Sequence, residues 1–485
     1  MLKKCNQVLK GLGDNNATTF FISLFCVFLL NTIVGIGDYD FVWQTYLGKI
    51  IITEHRFDGL KDLIWGTQGL GWYLDHEWLT NVIFYGLNRV FGEMGSVIVF
   101  KILMGCLFSI SIYFLLREFT DFKNMSWFTY LACITMSFSY ATILVKVKAY
   151  NISAILMVCL FIVLERYRKK ILSFKTFAIW TCIIVLLWNN FHSGSVLLIY
   201  GIVGSYWLFC WRDIKTVLLG IGTLGVLCIN PFGYNLIKFD ITHFFDTVMK
   251  KVVTEWGGFD INTSVGKLFI MFLAILFLHI LHMSREQENW VYFFLFFVFM
   301  IMTFISRRHF LYLYPIAMIV FVKGQFKDLK QWKFKSFIIP TLLIILVTGF
   351  IEVTVWQVIP NMERKYMRDY ITPELETIID STIGDNEGFY DGDLNVWDSG
   401  FKSFRTGAFP FTRERNIASY YMENGSTVTI ETIINKYGLT KFLCYKYHKS
   451  IEDTMTTTHL YDYLITNPKY ELLYDDNLLV YFVEK

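Results

Sequence analysis

The sequence is poor in charge and in proline. Charged residues make up 18% of its 485 positions, below the roughly 25% of an ordinary soluble domain, which argues against a soluble enzyme. With only seven prolines and no low-complexity tract, neither a disordered nor a fibrous chain is expected. Basic residues barely outnumber acidic ones, 44 against 41, and no basic cluster forms a nucleic-acid site, so no nucleic-acid partner is expected. The nine cysteines include no CxxC, and seven of them (Cys26, Cys106, Cys133, Cys159, Cys182, Cys210, Cys228) lie in apolar runs. That pattern excludes a disulfide framework and a structural zinc site. HExxH, GxSxG, P-loop and correctly flanked GxGxxG motifs are all missing. His279 and His282 are helical neighbours without an evident third ligand, and they read as core or helix-end residues.

What is present is hydrophobic: 54% apolar and 18% aromatic residues, with a mean hydropathy of +0.44. A helix needs about 20 apolar residues to cross a bilayer. Spans are expected near 18–36, 96–116, 126–144, 150–164, 176–191, 194–211, 214–230, 265–283, 288–305, 309–322 and 336–357, eleven in all. Two of these, 150–164 and 309–322, are short, so they borrow flanking residues or lie partly buried within the bundle. The brief apolar stretch 78–92 reads as an interfacial or re-entrant helix. Lys3, Lys4 and Lys10 precede the first run, but no small-residue cleavage site follows it, so it is expected to stay as an anchor. The fold expected is an all-α polytopic membrane bundle over 1–359 with a large first outer loop (37–95), followed by a small extracytoplasmic α/β domain over 360–485.

Orientation follows from Lys and Arg in short loops. The basic N-terminus, the 165–175 loop (Arg166, Arg168, Lys169, Lys170, Lys175) and the 323–335 loop (Lys323, Lys327, Lys330, Lys333, Lys335) fall on one side under eleven spans. That side is taken as cytoplasmic, which puts the tail outside. The tail differs in charge, with 13 basic against 20 acidic residues, a net of −7, so the preceding part carries +10 of the formal +3. A charged helical run at 363–383 is expected there, then a strand at Gly388–Asp393, a helix at 429–438, a strand at Lys441–Lys446, a helix at 457–467 and a hairpin turning at Asp475-Asp476-Asn477. With no nucleophile motif in it, the tail reads as a lid or docking module.

Placed on that topology, the unusual polar residues gather at the outer face. Asp38, Asp40, Glu54, His55, His76 and Glu77 fall in the first outer loop, and Lys146 and Lys148 in the next. Asn189, Asn190 and His192 fall in the third, Asn230, Glu255, Trp256 and Asp260 in the fourth, and Arg307, Arg308 and His309 in the fifth. Charges at membrane depth cost several kcal/mol each and persist where they line a hydrated cavity or compensate one another. A pocket of carboxylates, arginines and histidines suits a phosphorylated ligand. Plainer roles stand beside each: Asp38 and Asp40 as helix caps, Trp78 as an interfacial anchor, Asn190 and His192 as hydrogen-bonded helix ends, Glu255 as a surface charge, Arg307 and Arg308 as flanking charges. The two arginines lie on the side where the positive-inside bias does not call for them, which favours a ligand role.

In order, Gly37-Asp38-Tyr39-Asp40-Phe41-Val42-Trp43, Asp75-His76-Glu77-Trp78-Leu79, Trp188-Asn189-Asn190-Phe191-His192-Ser193-Gly194, Asn230-Pro231-Phe232-Gly233, Glu255-Trp256 and Arg307-Arg308-His309-Phe310 make a recognisable set. It resembles bacterial polytopic membrane proteins of the GT-C glycosyltransferase superfamily, relatives of the dolichol- and undecaprenyl-phosphate-sugar-dependent enzymes. The sequence departs from the subgroup's pattern at Tyr39, where a proline is usual, at Gln44, where a histidine is usual, at Val42, which replaces a tryptophan, and at Ser193, which replaces a glycine.

The resemblance implies a polyprenyl-phosphate sugar donor entering from the outer leaflet, and an extracytoplasmic glycan, lipid or protein acceptor. It makes Asp38 or Asp40 the candidate general base, the other acid orienting it or holding a divalent cation such as Mg or Mn. His76, Glu77, Asn190, His192, Glu255, Trp256, Arg307, Arg308 and His309 become candidates for binding substrate. Arginine suits the departing phosphate because its planar fork gives bidentate contacts, and attack opposite the phosphate inverts the anomeric centre. Two other readings stay open: a transporter or accessory protein for lipid-linked glycans, which paired Gly/Pro-broken inverted repeats would favour, and a ligase- or polymerase-like enzyme that does not depend on the first-loop acids.

Overall fold

The computed structural model describes residues 16–30, 40–59, 74–122, 125–144, 147–244, 258, 264–283, 286–325, 373–382, 388–391, 401–403, 430–432, 434–435, 439–449, 455–476 and 479–485. In chain order the helices are α1 (Asn16–Leu30), α2 (Asp40–Glu54), α3 (Trp78–Arg117), α4 (Trp127–Leu144), α5 (Tyr150–Arg168), α6 (Phe174–His192), α7 (Leu198–Tyr206), α8 (Ile214–Leu227), α9 (Tyr234–Phe244), α10 (Ser264–His282), α11 (Trp290–Ile305), α12 (Phe310–Lys323), α13 (Pro373–Thr382) and α14 (His459–Thr466). Strands β1 (Gly388–Asp391), β2 (Phe401–Ser403), β3 (Lys441–Tyr445), β4 (Tyr447–Lys449), β5 (Met455–Thr457), β6 (Tyr470–Asp475) and β7 (Leu479–Glu484) belong to the tail. The chain divides into two compact units, one of Met1–Gly37, Leu87–Phe244 and Val253–Val358, the other of Asp38–Gly86, Phe245–Val252 and Ile359–Lys485.

Ten of the eleven expected spans coincide with helices, and the last, 336–357, lies outside the described residues. By length and composition, four segments among the described residues are long and apolar enough to cross a membrane: Gly95–Arg117, Tyr150–Arg168, Phe174–Ser195 and Gln287–Ile305. The short 150–164 run does borrow its flank, extending through Arg168. The other short run, α12, has 14 residues, a length of about 21 Å, and every residue from Phe310 to Val322 is buried. It is a core helix of its unit. The 78–92 stretch is helical too, and Gly92 separates it from the span beginning at Gly95. Gly92 has φ 70 and ψ 178, a conformation open to glycine and strained for a residue with a Cβ.

Two stripes mark where the first unit meets an apolar surrounding. Ile98, Ile102, Leu103, Ile110 and Phe114 are exposed along α3, and Trp290, Phe294, Phe297, Ile301 and Ile305 along α11. Their spacing keeps each set on one side of its helix. In water such continuous patches would drive association, whereas in hydrocarbon they are ordinary surface.

Inter-loop contacts sort the ends of these helices. Arg166, just inside the end of α5, donates to Glu118 at 2.7 Å, and Lys169 also bonds Glu118. Arg168 holds both the Glu165 carboxylate, at 2.9 and 3.0 Å, and Glu288, before α11. Glu165 is fully buried; it also accepts from the Tyr206 hydroxyl at 2.5 Å and from Tyr292. At the other end Asn190 reaches the carbonyl of Ile229, and Arg308 reaches His192. Loops assigned to one side by counting spans therefore do meet one another.

The tail carries a five-stranded mixed sheet in the order β2-β1-β3-β7-β6, with β1 parallel to β2 and β3 and the remaining pairs antiparallel. Alternation along β3 and β7 sends side chains to opposite faces. Phe442, Cys444, Val480 and Phe482 pack with Leu460 and Leu464 of α14, and Leu443, Leu479 and Tyr481 pack with Leu375 and Ile379 of α13. The expected hairpin forms: Asp476 donates its N–H to the carbonyl of Leu479 at 3.2 Å, and its side chain accepts from the Leu479 N–H at 2.7 Å. Of the expected 363–383 helix, Pro373–Thr382 is helical and the residues before it lie outside the described set.

Candidate functional site

In the first unit the site grows from the C-terminal end of α6. An α-helix leaves its last carbonyls unpaired, so a chain that stops there needs side chains to hold the turn. Three polar residues do so. Asn189 donates to the carbonyl of Leu227 at 2.9 Å, and Asn190 donates to those of Leu186 at 2.8 Å and Ile229 at 3.0 Å. These bonds staple α6 to the end of α8. Asn230 then folds its own loop, accepting from the Phe232 N–H at 2.7 Å and donating to the carbonyls of Leu227 and Gly233. Both amide hydrogens of Asn190 are spent on the backbone, so its first role is architectural.

His192 is buried and ends the helix with φ −164 and ψ 87. Its Nδ1 lies 2.8 Å from Ser153 Oγ and 3.0 Å from Ser195 Oγ, and its Nε2 lies 3.2 Å from Arg308 Nη2. A guanidinium can only donate. Nε2 must therefore accept, and the ring proton belongs on Nδ1, where a serine hydroxyl receives it. The imidazole is neutral in this arrangement and aims Arg308. The guanidinium also lies 5.4 Å over the Tyr150 ring, a cation–π contact. Trp188 fixes the turn from the other side by donating to Ser195 Oγ at 3.0 Å. Arg307, one residue earlier in the 3-10 turn Arg307–His309, is exposed, and His309 packs near the Tyr312 ring.

Behind this turn sits an acid that reading the sequence missed. Asp240, on α9, is 6% exposed and accepts a hydrogen bond from Ser193 Oγ at 2.9 Å. Burial raises its pKa to about 7, even though the Ser193 hydroxyl pulls the other way. Its signal in the sequence was slight: one acid in an amphipathic helix just beyond Asn230-Pro231-Phe232-Gly233.

In the second unit the segment from α2 to the start of α3 builds a polar cluster. Helix α2 and the start of α3 approach so closely that a Cβ on Gly48 would lie 2.0 Å from the carbonyl oxygen of Asn81, so glycine is required there. Asp75 is buried and accepts from both directions: from Asn81 Nδ2, at 3.0 and 2.9 Å, and from the Glu77 N–H at 3.2 Å. Burial lifts its pKa to about 6 against those hydrogen bonds. Glu77, also buried, accepts from Gln44 Nε2, and His76 Nε2 lies 3.6 Å from its other oxygen. Gln44 thus holds Glu77. His76 and Glu77 supply a ring nitrogen and a carboxylate oxygen, a mixed donor pair of the kind that first-row divalent cations accept. Trp43 is buried, and Trp78 packs edge-on against Phe57 with centroids 5.8 Å apart.

Of the residues expected from the sequence, Asn190, His192, Arg307, Arg308 and His309 fall in the first unit and Asp40, His76 and Glu77 in the second. Within the first, His192 and Arg308 touch; within the second, His76 and Glu77 do. Asp40 is the first residue of α2. Asp38, Glu255 and Trp256 lie outside the described residues.

No family model and no curated protein matches this sequence. Among solved structures, the chain is similar to the oligosaccharyltransferase of Archaeoglobus fulgidus, crystallised with an acceptor peptide containing the NVT sequon tethered to it by a disulfide bond. The TM-score is 0.61 at 10% identity, covering 95% of this chain and 79% of that one. At that identity the likeness speaks for architecture, and the architecture here is a GT-C-like membrane fold, a mostly helical body of apolar helices with a small C-terminal sheet region.

Proposed function

We propose that the chain is an integral-membrane glycosyltransferase that moves a sugar from a polyprenyl-phosphate donor to an extracytoplasmic acceptor with inversion. The observation that carries this reading is the Arg308 guanidinium, set by neutral His192 and the Tyr150 ring, within a GT-C-like fold. Residues 1–359 form the membrane domain and 360–485 the extracytoplasmic one, with the N-terminus cytoplasmic. The meeting of loops assigned to one side, as at Glu118 and Arg166, supports that topology.

In the reaction, the acceptor's nucleophilic oxygen attacks the anomeric carbon from the face opposite the phosphate. The bond from that carbon to the phosphate oxygen breaks, and its electron pair leaves with the lipid phosphate. The acceptor's proton passes to Asp38 or Asp40, a carboxylate within hydrogen-bond reach being the usual device for such a nucleophile. Arg308, with Arg307, stabilises the charge that grows on the phosphate. A divalent cation, where bound, would neutralise phosphate charge; Asp38 and Asp40 are the acids the resemblance offers it, and His76 and Glu77, next to each other in the chain, would add an imidazole nitrogen and a carboxylate oxygen. Because the structural neighbour takes an acceptor peptide, a polypeptide is the first acceptor to try, ahead of glycan and lipid.

The test is transfer of radiolabelled sugar from undecaprenyl-phosphate sugars in membranes containing the protein. Asp38→Asn and Asp40→Asn are compared with wild type at matched protein levels. Loss of transfer in at least one variant is the expected result; full transfer by both removes the base assignment. No transfer from any polyprenyl-phosphate sugar to any of the three acceptor classes turns the reading toward a transporter or accessory role.

A further inference from the structure

The His192–Arg308 pair needs something to hold it, because a helix end is the least constrained part of a helix. Asp240 is the described residue placed to do so. It sits on α9, which follows the Asn230-Pro231-Phe232-Gly233 turn and packs against the Ser193–Ser195 turn. Its carboxylate is more than nine-tenths buried, and it accepts from Oγ of Ser193, the residue directly after His192. No lysine or arginine among the described residues pairs with it. A buried carboxylate without a counter-charge costs several kcal/mol, more than one hydroxyl returns. A cost of that kind, next to the binding machinery rather than in the packed core, is the mark of a group kept for its position.

We infer that Asp240 is a positioning residue of the proposed transfer reaction: by gripping Ser193 it fixes the turn that carries His192, and through His192 it aims Arg308 at the donor phosphate. The inference rests on the reading of the protein as a polyprenyl-phosphate-dependent transferase. The connection is short. Asp240 Oδ1 takes the Ser193 hydroxyl, the backbone passes from Ser193 to His192, and Nε2 of His192 takes a hydrogen of Arg308. Ser195, two residues further on, braces the same ring at Nδ1. Removing the Ser193 contact frees the turn without touching either the guanidinium or the ring. Donor binding should suffer while acceptor binding stays put.

The experiment measures binding of undecaprenyl phosphate to the full-length protein in detergent, and in parallel the KM for donor and for acceptor. Asp240→Ala and Ser193→Ala are each expected to weaken undecaprenyl phosphate binding about tenfold, the cost of one buried hydrogen bond, and to raise donor KM with acceptor KM unchanged. Asp240→Asn keeps an oxygen that can accept from Ser193 and should stay within about threefold of wild type, and its near-native binding also guards against misfolding of the alanine variant. In an Arg308→Ala background, Asp240→Ala should have no further effect on binding, since there is no guanidinium left to aim. Wild-type binding by Asp240→Ala and Ser193→Ala, or equal losses with and without Arg308, overturns the positioning role while leaving the transferase reading intact. Wild-type protein that does not bind undecaprenyl phosphate overturns that reading, and the positioning role with it.

Discussion

The side-chain amide of Asn81 donates to both oxygens of Asp75, at 3.0 and 2.9 Å, inside a fully buried pocket at the start of α3. The Asn81 amide and the Glu77 N–H together do not compensate the loss of water around a carboxylate, and burial lifts the Asp75 pKa to about 6 from the roughly 3.9 of an unfolded chain. A pKa raised by folding means that the folded state favours the protonated acid. The stabilisation it provides is complete below about pH 4 and fades as pH rises through about 6. Above that, ionised Asp75 costs the fold on the order of 2–3 kcal/mol. Asp75→Asn should therefore melt higher than wild type at pH 8, and the gain should shrink by pH 5. Thermal unfolding of purified protein at the two pH values checks it, and a difference that does not change with pH would show that Asp75 carries no such burden.

Arg307 and Arg308 are adjacent, yet the structure treats them differently. Arg308 is set by His192 Nε2 at 3.2 Å and by the Tyr150 ring, while the Arg307 side chain is exposed. A guanidinium already oriented loses less freedom when it grips a phosphate. Arg308→Ala is expected to raise donor KM by about tenfold or more, and Arg307→Ala by a few-fold at most. His192→Ala should fall between them, because it removes the aim and keeps the charge. Equal effects from the two arginine variants would mean that preorganisation contributes nothing here.

Much of this was legible in the sequence because membrane helices announce themselves by length and hydropathy. Runs such as 126–144, 176–191 and 288–305 reappear as helices within a few residues of their expected limits. The tail hairpin was equally visible, since Asp475 and Asp476 interrupt two apolar alternations. The acids of the site were not. Asp240 looks like any charge on an amphipathic helix until α9 is seen against the Ser193 turn. Asp75 was submerged in a motif whose next two residues, His76 and Glu77, are the ones the resemblance offers for substrate binding. Asn190 carried the opposite lesson: a polar residue in a suggestive motif spends its hydrogens on two backbone carbonyls. Burial and partner choice are tertiary properties, and no local pattern encodes them.

Glu165 is the other buried acid with consequences for stability. Arg168 and the hydroxyls of Tyr206 and Tyr292 converge on it, joining α5, α7 and α11 at one end of the first unit. Breaking a buried pair by removing one partner leaves the other charge stranded and typically costs about 3–5 kcal/mol. Glu165→Leu should accordingly lower the melting temperature strongly. The double variant Glu165→Leu/Arg168→Met removes both charges and should recover part of that loss, although Glu288 then loses its own contact with Arg168. A double-mutant cycle by thermal unfolding reads the coupling. Strict additivity of the two single effects would show that the carboxylate and the guanidinium act independently.

Topology yields the remaining prediction. The 165–175 loop holds five basic residues, and its Arg166 and Lys169 pair with Glu118 while Arg168 pairs with Glu288. These contacts bring three loops to one end of the first unit, and the positive-inside bias names that end cytoplasmic. His192, Arg308 and Asp240 belong to loops at the other end, and under the proposed eleven-span topology that end faces outward and the acidic tail follows it. An epitope placed after Lys485 should be digested by protease added to intact cells, and one placed in the 165–175 loop should survive until the membrane is opened. Protection of the terminal epitope together with cleavage of the loop would invert the protein and move the proposed donor site to the cytoplasmic leaflet.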